Sequence, residues 1–239
     1  MSRRPRPVLL GAAAAVFAAG LSARLGFLLL DYAPVSDPAH NYNTALLLFR
    51  EGTLLSDAQR ALYVAVFPHL LGYDGLLAVS FALFGENLAA VVIPNILFDI
   101  ASVIALYCLA RALSENKLAP PVAAALWWLS PLNIAFCALS LPVVAVNALI
   151  LAALAALRRV FASAERVGPP LLYSLLAGLA LSALHIMRPF GVLLLLCAAA
   201  YHTLCLLARP RSGGLWLPLC KRLLSLAVTA AVFFALNAL

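Results

Sequence analysis

Long apolar stretches, separated by short polar or helix-breaking punctuation, run through most of the chain. They cover Val8–Leu30, Asn87–Ala110, Ala119–Ala138, Leu141–Leu157, Leu171–Met187, Phe190–Ala208 and Leu223–Leu239. A helix rises about 1.5 Å per residue and a bilayer's hydrocarbon core is about 30 Å thick, so a spanning helix needs about 20 such residues. The breaks carry Pro120-Pro121, Pro169-Pro170 and Ser212-Gly213-Gly214, which stop helices or turn the chain. The pattern predicts an all-α, polytopic transmembrane helix bundle of about seven spans.

One connection, residues 31–86, is far longer than the others, and loops of that length are usually functional or internally structured. Three short helices are predicted in it. Asp37-Pro38 reads as an N-cap followed by the favoured first helical residue, Ala39, Tyr42, Leu46 and Phe49 recur at helical spacing, and Gly52 ends the segment. Ser56 with Gln59 resembles a capping box opening a second helix up to Phe67. Asp74 is predicted to cap a third, which stops at Gly85. Helices this short are unstable alone in water, so their apolar faces are expected in the membrane interface or against the bundle.

Composition agrees with the pattern. The 239 residues are 65% hydrophobic and 10% charged, with a mean hydropathy of +1.04. Soluble domains carry about 25% charged residues, so a water-soluble globule, a disordered tail and a nucleic-acid module are excluded. The net charge of +7 matters less than where the positives lie. With Arg3, Arg4 and Arg6 in the cytoplasm, the inward connections hold Arg111, Lys117, Arg158, Arg159, Arg166, Arg209, Arg211, Lys221 and Arg222. The positive-inside rule is then obeyed at every return, giving a multi-pass protein of the cell membrane (plasma or inner) with a cytoplasmic N-terminus. The first apolar run is too long for a signal peptide and is expected to stay as a helix. Six of the nine acidic residues (Asp31, Asp37, Glu51, Asp57, Asp74 and Glu86) fall in the extracytoplasmic loop 31–86. The five cysteines lack paired short spacing and are expected to be small buried hydrophobes.

The order of several short motifs resembles the GT-C class of membrane glycosyltransferases, particularly the bacterial branch related to dolichyl-phosphate-mannose–protein mannosyltransferases. The motifs are Ser22-Ala23-Arg24-Leu25, Ser36-Asp37-Pro38-Ala39-His40-Asn41-Tyr42 with Ala45 and Gly52, Phe67-Pro68-His69-Leu70-Leu71-Gly72-Tyr73, Leu83-Phe84-Gly85, Asn95, Leu109-Ala110-Arg111, Ser130-Pro131 and Arg188-Pro189. The chain has Ser140-Leu141-Pro142 where many members carry an acid in the second outer connection, and it is shorter than full members. The resemblance therefore implies a single GT-C-like transmembrane domain over 1–239 that corresponds to an N-terminal part of such an enzyme. A partner subunit supplying further spans is expected.

The resemblance implies transfer of a sugar from a polyprenyl-phosphate donor to an acceptor hydroxyl on the extracytoplasmic face, with inversion. Such a reaction needs a carboxylate to take the acceptor's proton and a cation to stabilise the departing phosphate. It assigns the base to Asp37, although capping alone also explains an Asp before Pro at a helix start. Arg188 is a candidate phosphate ligand or a snorkelling helix-end cation. Arg24 is expected to pair with Asp31 or anchor phosphate, and His69, His40 and Tyr42 are further candidate substrate contacts.

Asp99, deep in the second span with Asn95 one turn before it, reads as an interhelical polar clamp or as a proton or ion site. The latter belongs to an alternative reading, a non-catalytic multi-pass membrane protein acting as a small transporter or assembly subunit. Trp127-Trp128 read as interfacial or packing aromatics. The histidines and cysteines have no metal-ligand spacing, and there is no phosphate-cradling glycine loop, so no metal, no other cofactor and no nucleic-acid partner is expected. The expected partners are the sugar donor and the bilayer.

Overall fold

The computed structural model describes residues 7–30, 33–163, 171–207 and 216–238, and every regular element among them is helical. Arg3, Arg4, Arg6, Asp31, Arg166, Arg209 and Arg211, on which parts of the charge pattern rest, lie outside the described residues. The elements are α1 (Pro7–Leu25, continued by a 3-10 turn at Gly26–Leu29), α2 (Ser36–Glu51), α3 (Ala58–Val66), α4 (Leu70–Phe84), α5 (Ala89–Leu113), α6 (Ala119–Trp128), α7 (Pro131–Phe136), α8 (Val143–Ser163), α9 (Leu171–Met187), α10 (Phe190–Leu207) and α11 (Trp216–Asn237). Three helical stretches among the described residues are long and apolar enough to cross a membrane: Gly11–Leu29, Ala89–Leu113 and Val143–Val160.

The predicted third span, 119–138, is broken. Pro131 forces Ser130 out of helical geometry, to φ −60° and ψ 120°, because the proline ring clashes with a helical predecessor. The ten residues of α6 reach about 15 Å, half the hydrocarbon core.

The chain forms two compact units, Met1–Ala61 with Asp74–Ala145, and Leu62–Tyr73 with Val146–Leu239. In the first, α1 packs on α5, α6 and α7, and α5 packs on α6. Asn95, Asp99 and Ser102, spaced by four and three, are all buried on one face of α5, while Leu97 and Ile104 on the outer surface are exposed. A lipid-embedded helix turns apolar residues outward and reserves its polar ones for its neighbours. The same logic corrects the expectation for the cysteines. Cys137 is buried, but Cys108, Cys197 and Cys220 are exposed and free, and the Cys205 side chain lies outside the described residues. On α5, a helix long and apolar enough to span, an apolar side chain such as Cys108 gains nothing by hiding from lipid.

In the second unit α9 packs on α11 and α10. A Cβ on Gly178 would lie 2.7 Å from Val232 Cβ and 2.9 Å from the Thr229 carbonyl, so glycine alone permits this approach of α9 to α11. Hydrogen bonds from Thr229 Oγ1 to the Ser174 carbonyl (3.2 Å) and from Asn237 Nδ2 to Ser182 Oγ (2.6 Å) join the same pair.

The short helices of 31–86 exist, with shifted starts. Gly52 and Gly85 end α2 and α4 with φ of +68° and +80°, as predicted. α2 begins at Ser36, so Asp37 lies inside the first turn and caps nothing; the N-cap position is Val35. Asp57, not Ser56, caps α3, its Oδ1 accepting the Arg60 backbone N–H at 3.0 Å. Asp74 is no cap either: Leu70 and Leu71 already belong to α4, and Asp74 is buried inside that helix.

Candidate functional site

The sequence-predicted site residues fall into three settings. The first is the opening turn of α2. Ser36 has a φ of +57°, a left-handed conformation that costs a non-glycine residue about 1–3 kcal/mol. It immediately precedes Asp37, which is exposed and whose carboxylate has no hydrogen bond or ion pair among the described residues. The strained turn is braced by the connection before α8. Ser140 Oγ donates to the Pro38 carbonyl at 2.5 Å, and Asn41 Nδ2 donates to the Ser140 carbonyl at 3.0 Å. Two segments predicted to be outer connections are thus joined directly.

Tyr42 follows one turn later, its ring edge-on to Phe81 at 5.0 Å. Burial, aided by Glu86, raises its phenol above the usual range, so it stays protonated as a donor. A cavity of about 120 Å³ opens here, lined by Pro34, Tyr42, Leu88, Val91, Ala138 and Ser140. Pro34 and Tyr42 bracket Asp37 in sequence.

His40 lies on the same helix, one turn after Asp37. Burial and then Arg60 lower its pKa, and Asp37 and Asp57 oppose that shift. The Arg60 guanidinium ties α3 to α2: Nη1 donates to the His40 carbonyl (3.1 Å) and Thr44 Oγ1 (2.9 Å), while Nε donates to Asp57 Oδ2 (3.1 Å). Sequence reading passed over Arg60, Asn41 and Ser140. Apart from the Asp57–Arg60 pair three residues apart, their partners lie from 16 to 102 residues away, and no local spacing signals such contacts.

The second setting belongs to the other unit. Arg188 sits in the turn between α9 and α10, half-buried, and its guanidinium has no hydrogen bond or ion pair among the described residues. The start of α4 presses against this end of α9: a Cβ on Gly72 would lie 2.4 Å from the Ile186 carbonyl. His69 therefore feels Arg188. Burial first and the Arg188 charge second depress its pKa, so its imidazole is neutral at neutral pH.

The third setting holds Arg24, which is 0% exposed. Its partner is Asp99 of α5. Nε and Nη2 both donate to Asp99 Oδ2 (Nε at 2.9 Å), and Nη1 donates to the Gly20 carbonyl at 2.8 Å. Trp127 Nε1 donates to Asp99 Oδ1 at 2.8 Å, and Trp128 lies beneath the guanidinium with its ring centre 3.9 Å from Cζ. Gly20 must be glycine, since a Cβ there would lie 2.2 Å from Trp128 Nε1. Asn95 donates to the carbonyls of Cys137 (3.2 Å) and Leu139 (3.0 Å), binding α5 to the same region. Of the two readings of Asp99, this geometry fits the interhelical clamp, because both carboxylate oxygens are engaged.

Among the described residues no group of His, Cys, Asp and Glu side chains could hold a metal ion. No family model, no curated protein and no solved structure matches the chain.

Proposed function

We propose that the chain is a membrane glycosyltransferase that moves a sugar from a polyprenyl-phosphate donor to an acceptor hydroxyl on the extracytoplasmic face. The observation that carries this reading is Asp37: an exposed carboxylate without a hydrogen-bond or ion-pair partner among the described residues, set next to a strained residue in a turn braced from a distant connection. Strain of this kind concentrates where function requires a side chain to be held in place.

In the proposed reaction, Asp37 takes the proton of the acceptor hydroxyl as its oxygen bonds to the anomeric carbon. The bond from that carbon to the phosphate oxygen breaks on the opposite face, which inverts the configuration. Polyprenyl phosphate leaves with the electron pair. In the other unit, the Arg188 guanidinium has no carboxylate partner among the described residues, and its fork of donors suits a phosphate group. His69, beside it and neutral, has a ring N–H to add. Tyr42 and the adjoining cavity provide a hydroxyl donor and a small apolar recess. Arg24 is committed to Asp99 and the Gly20 carbonyl, so its role in this reading is to hold α1 against α5.

The test is transfer of label from polyprenyl-phosphate sugars to candidate acceptors by the purified chain. Asp37→Asn is expected to lower transfer by about 10²–10⁴-fold, the usual contribution of a positioned base, at an unchanged level in the membrane. Transfer at the native rate would remove Asp37 as the base. Absence of transfer from every donor by the native chain, with deletion disturbing only a stable complex, would favour the non-catalytic subunit instead.

A further inference from the structure

Outside the proposed site, Asp74 is an unusual buried acid. It is 0% exposed, and neither carboxylate oxygen has a hydrogen-bond partner. An ionised carboxylate in that position would cost far more than a protonated one. Burial accordingly lifts its pKa to about 8, with Arg60 alone pulling the other way.

Its charged surroundings are few. α2, whose Tyr42 and Phe49 rings meet Phe81 of α4, carries Asp37, His40, Tyr42, Arg50 and Glu51. Arg50 is taken up by Glu86, with Nε 2.8 Å from Oε1. α3 brings Asp57 and Arg60. Of these, Arg60 is the charge that reaches the Asp74 carboxyl. Arg60 is also the residue whose bonds to the His40 carbonyl, Thr44 and Asp57 fasten α3 to α2.

We propose that Asp74 is a proton-binding site that controls this fastening: protonated, it leaves Arg60 on α2, and deprotonated, it draws the guanidinium away and frees α3. The step is one proton leaving the Asp74 carboxyl for solvent, with no bond formed other than the new ion pair. A buried anion needs a partner, and among the described residues Arg60 is held in its present place by two neutral acceptors and the partly exposed Asp57. The inference does not depend on sugar transfer, since it concerns the attachment of α3 to α2 alone.

The experiment places spin labels at the exposed positions Asn43 and Gln59, in the full chain with its native cysteines replaced, reconstituted in nanodiscs. The distance between labels is expected to lengthen as pH rises from the neutral into the mildly alkaline range. Asp74→Asn, which copies the protonated form, should keep the short distance at every pH, and Arg60→Gln should give the long distance at every pH. A distance in the otherwise native chain that ignores pH would overturn the proposal, as would a pH response that survives Asp74→Asn.

Discussion

Arg24 and Asp99 form a fully buried ion pair between α1 and α5, 75 residues apart in the chain. The Gly20 carbonyl accepts from Arg24, the Trp127 indole donates to Asp99, and the face of Trp128 lies against the guanidinium. Deleting one member leaves the other charged and unpaired in an apolar setting. Arg24→Leu and Asp99→Leu should each cost about 3–5 kcal/mol, and the double substitution clearly less than their sum. Denaturation of the four chains in one detergent measures this cycle, and additive losses would contradict the pairing.

Gly20→Ala tests the same junction from the packing side. The added methyl must displace Trp128, and overpacking of this kind costs about 1–3 kcal/mol. Gly178→Ala should cause a comparable loss by forcing α9 off α11. A lowered midpoint of thermal unfolding is the expected reading in both cases, whereas Gly11→Ala, with open space around it, should be neutral.

How much of this was legible in the sequence follows from the range of each interaction. Helix ends set by local backbone geometry, at Gly52 and Gly85, could be read directly. Helix starts could not be fixed to the residue, because Asp37, Ser56 and Asp74 all satisfy the capping pattern while only the folded backbone decides which N–H groups need an acceptor. Arg24 and Asp99 were both identifiable as costly residues, yet the nearest acid in sequence, Asp31, was the natural partner to name. The pair joins two helices whose adjacency no spacing encodes. Ser130-Pro131 was visible as a motif, and its power to split a span lies in the proline ring. At the candidate site Asp37, His40 and Tyr42 were legible as neighbours on one short helix. The brace from Ser140 and the strain at Ser36 were not, since both arise only when distant segments meet.

His69 provides a pH test. Its folded pKa lies below the usual histidine value, so the unfolded chain binds its proton first as the solution is acidified. The residue therefore opposes folding once the pH falls through the unfolded value near 6.5, and its penalty is absent above that. Arg188→Gln removes one of the two causes. The His69 titration, followed by nuclear magnetic resonance, should move upward toward 6.5, with burial retaining part of the depression. An unchanged titration would mean the two side chains do not sense each other.

Topology is open to direct labelling. A membrane-impermeant thiol reagent should modify Ser56→Cys in intact cells and Glu115→Cys only after permeabilisation, both positions being exposed. The reverse pattern would invert the orientation read from the cationic residues and would remove the basis for sugar transfer at Asp37.

The long separation between Arg24 and Asp99 also bears on biogenesis. At synthesis rates of about 5–20 residues per second, the first helix waits about 4–15 s before its counter-ion is made. During that interval the Arg24 guanidinium lacks the carboxylate it pairs with in the fold, so α1 is expected to be held more firmly once α5 has arrived. The chain's opening helix thus waits for a counter-charge on a helix translated much later.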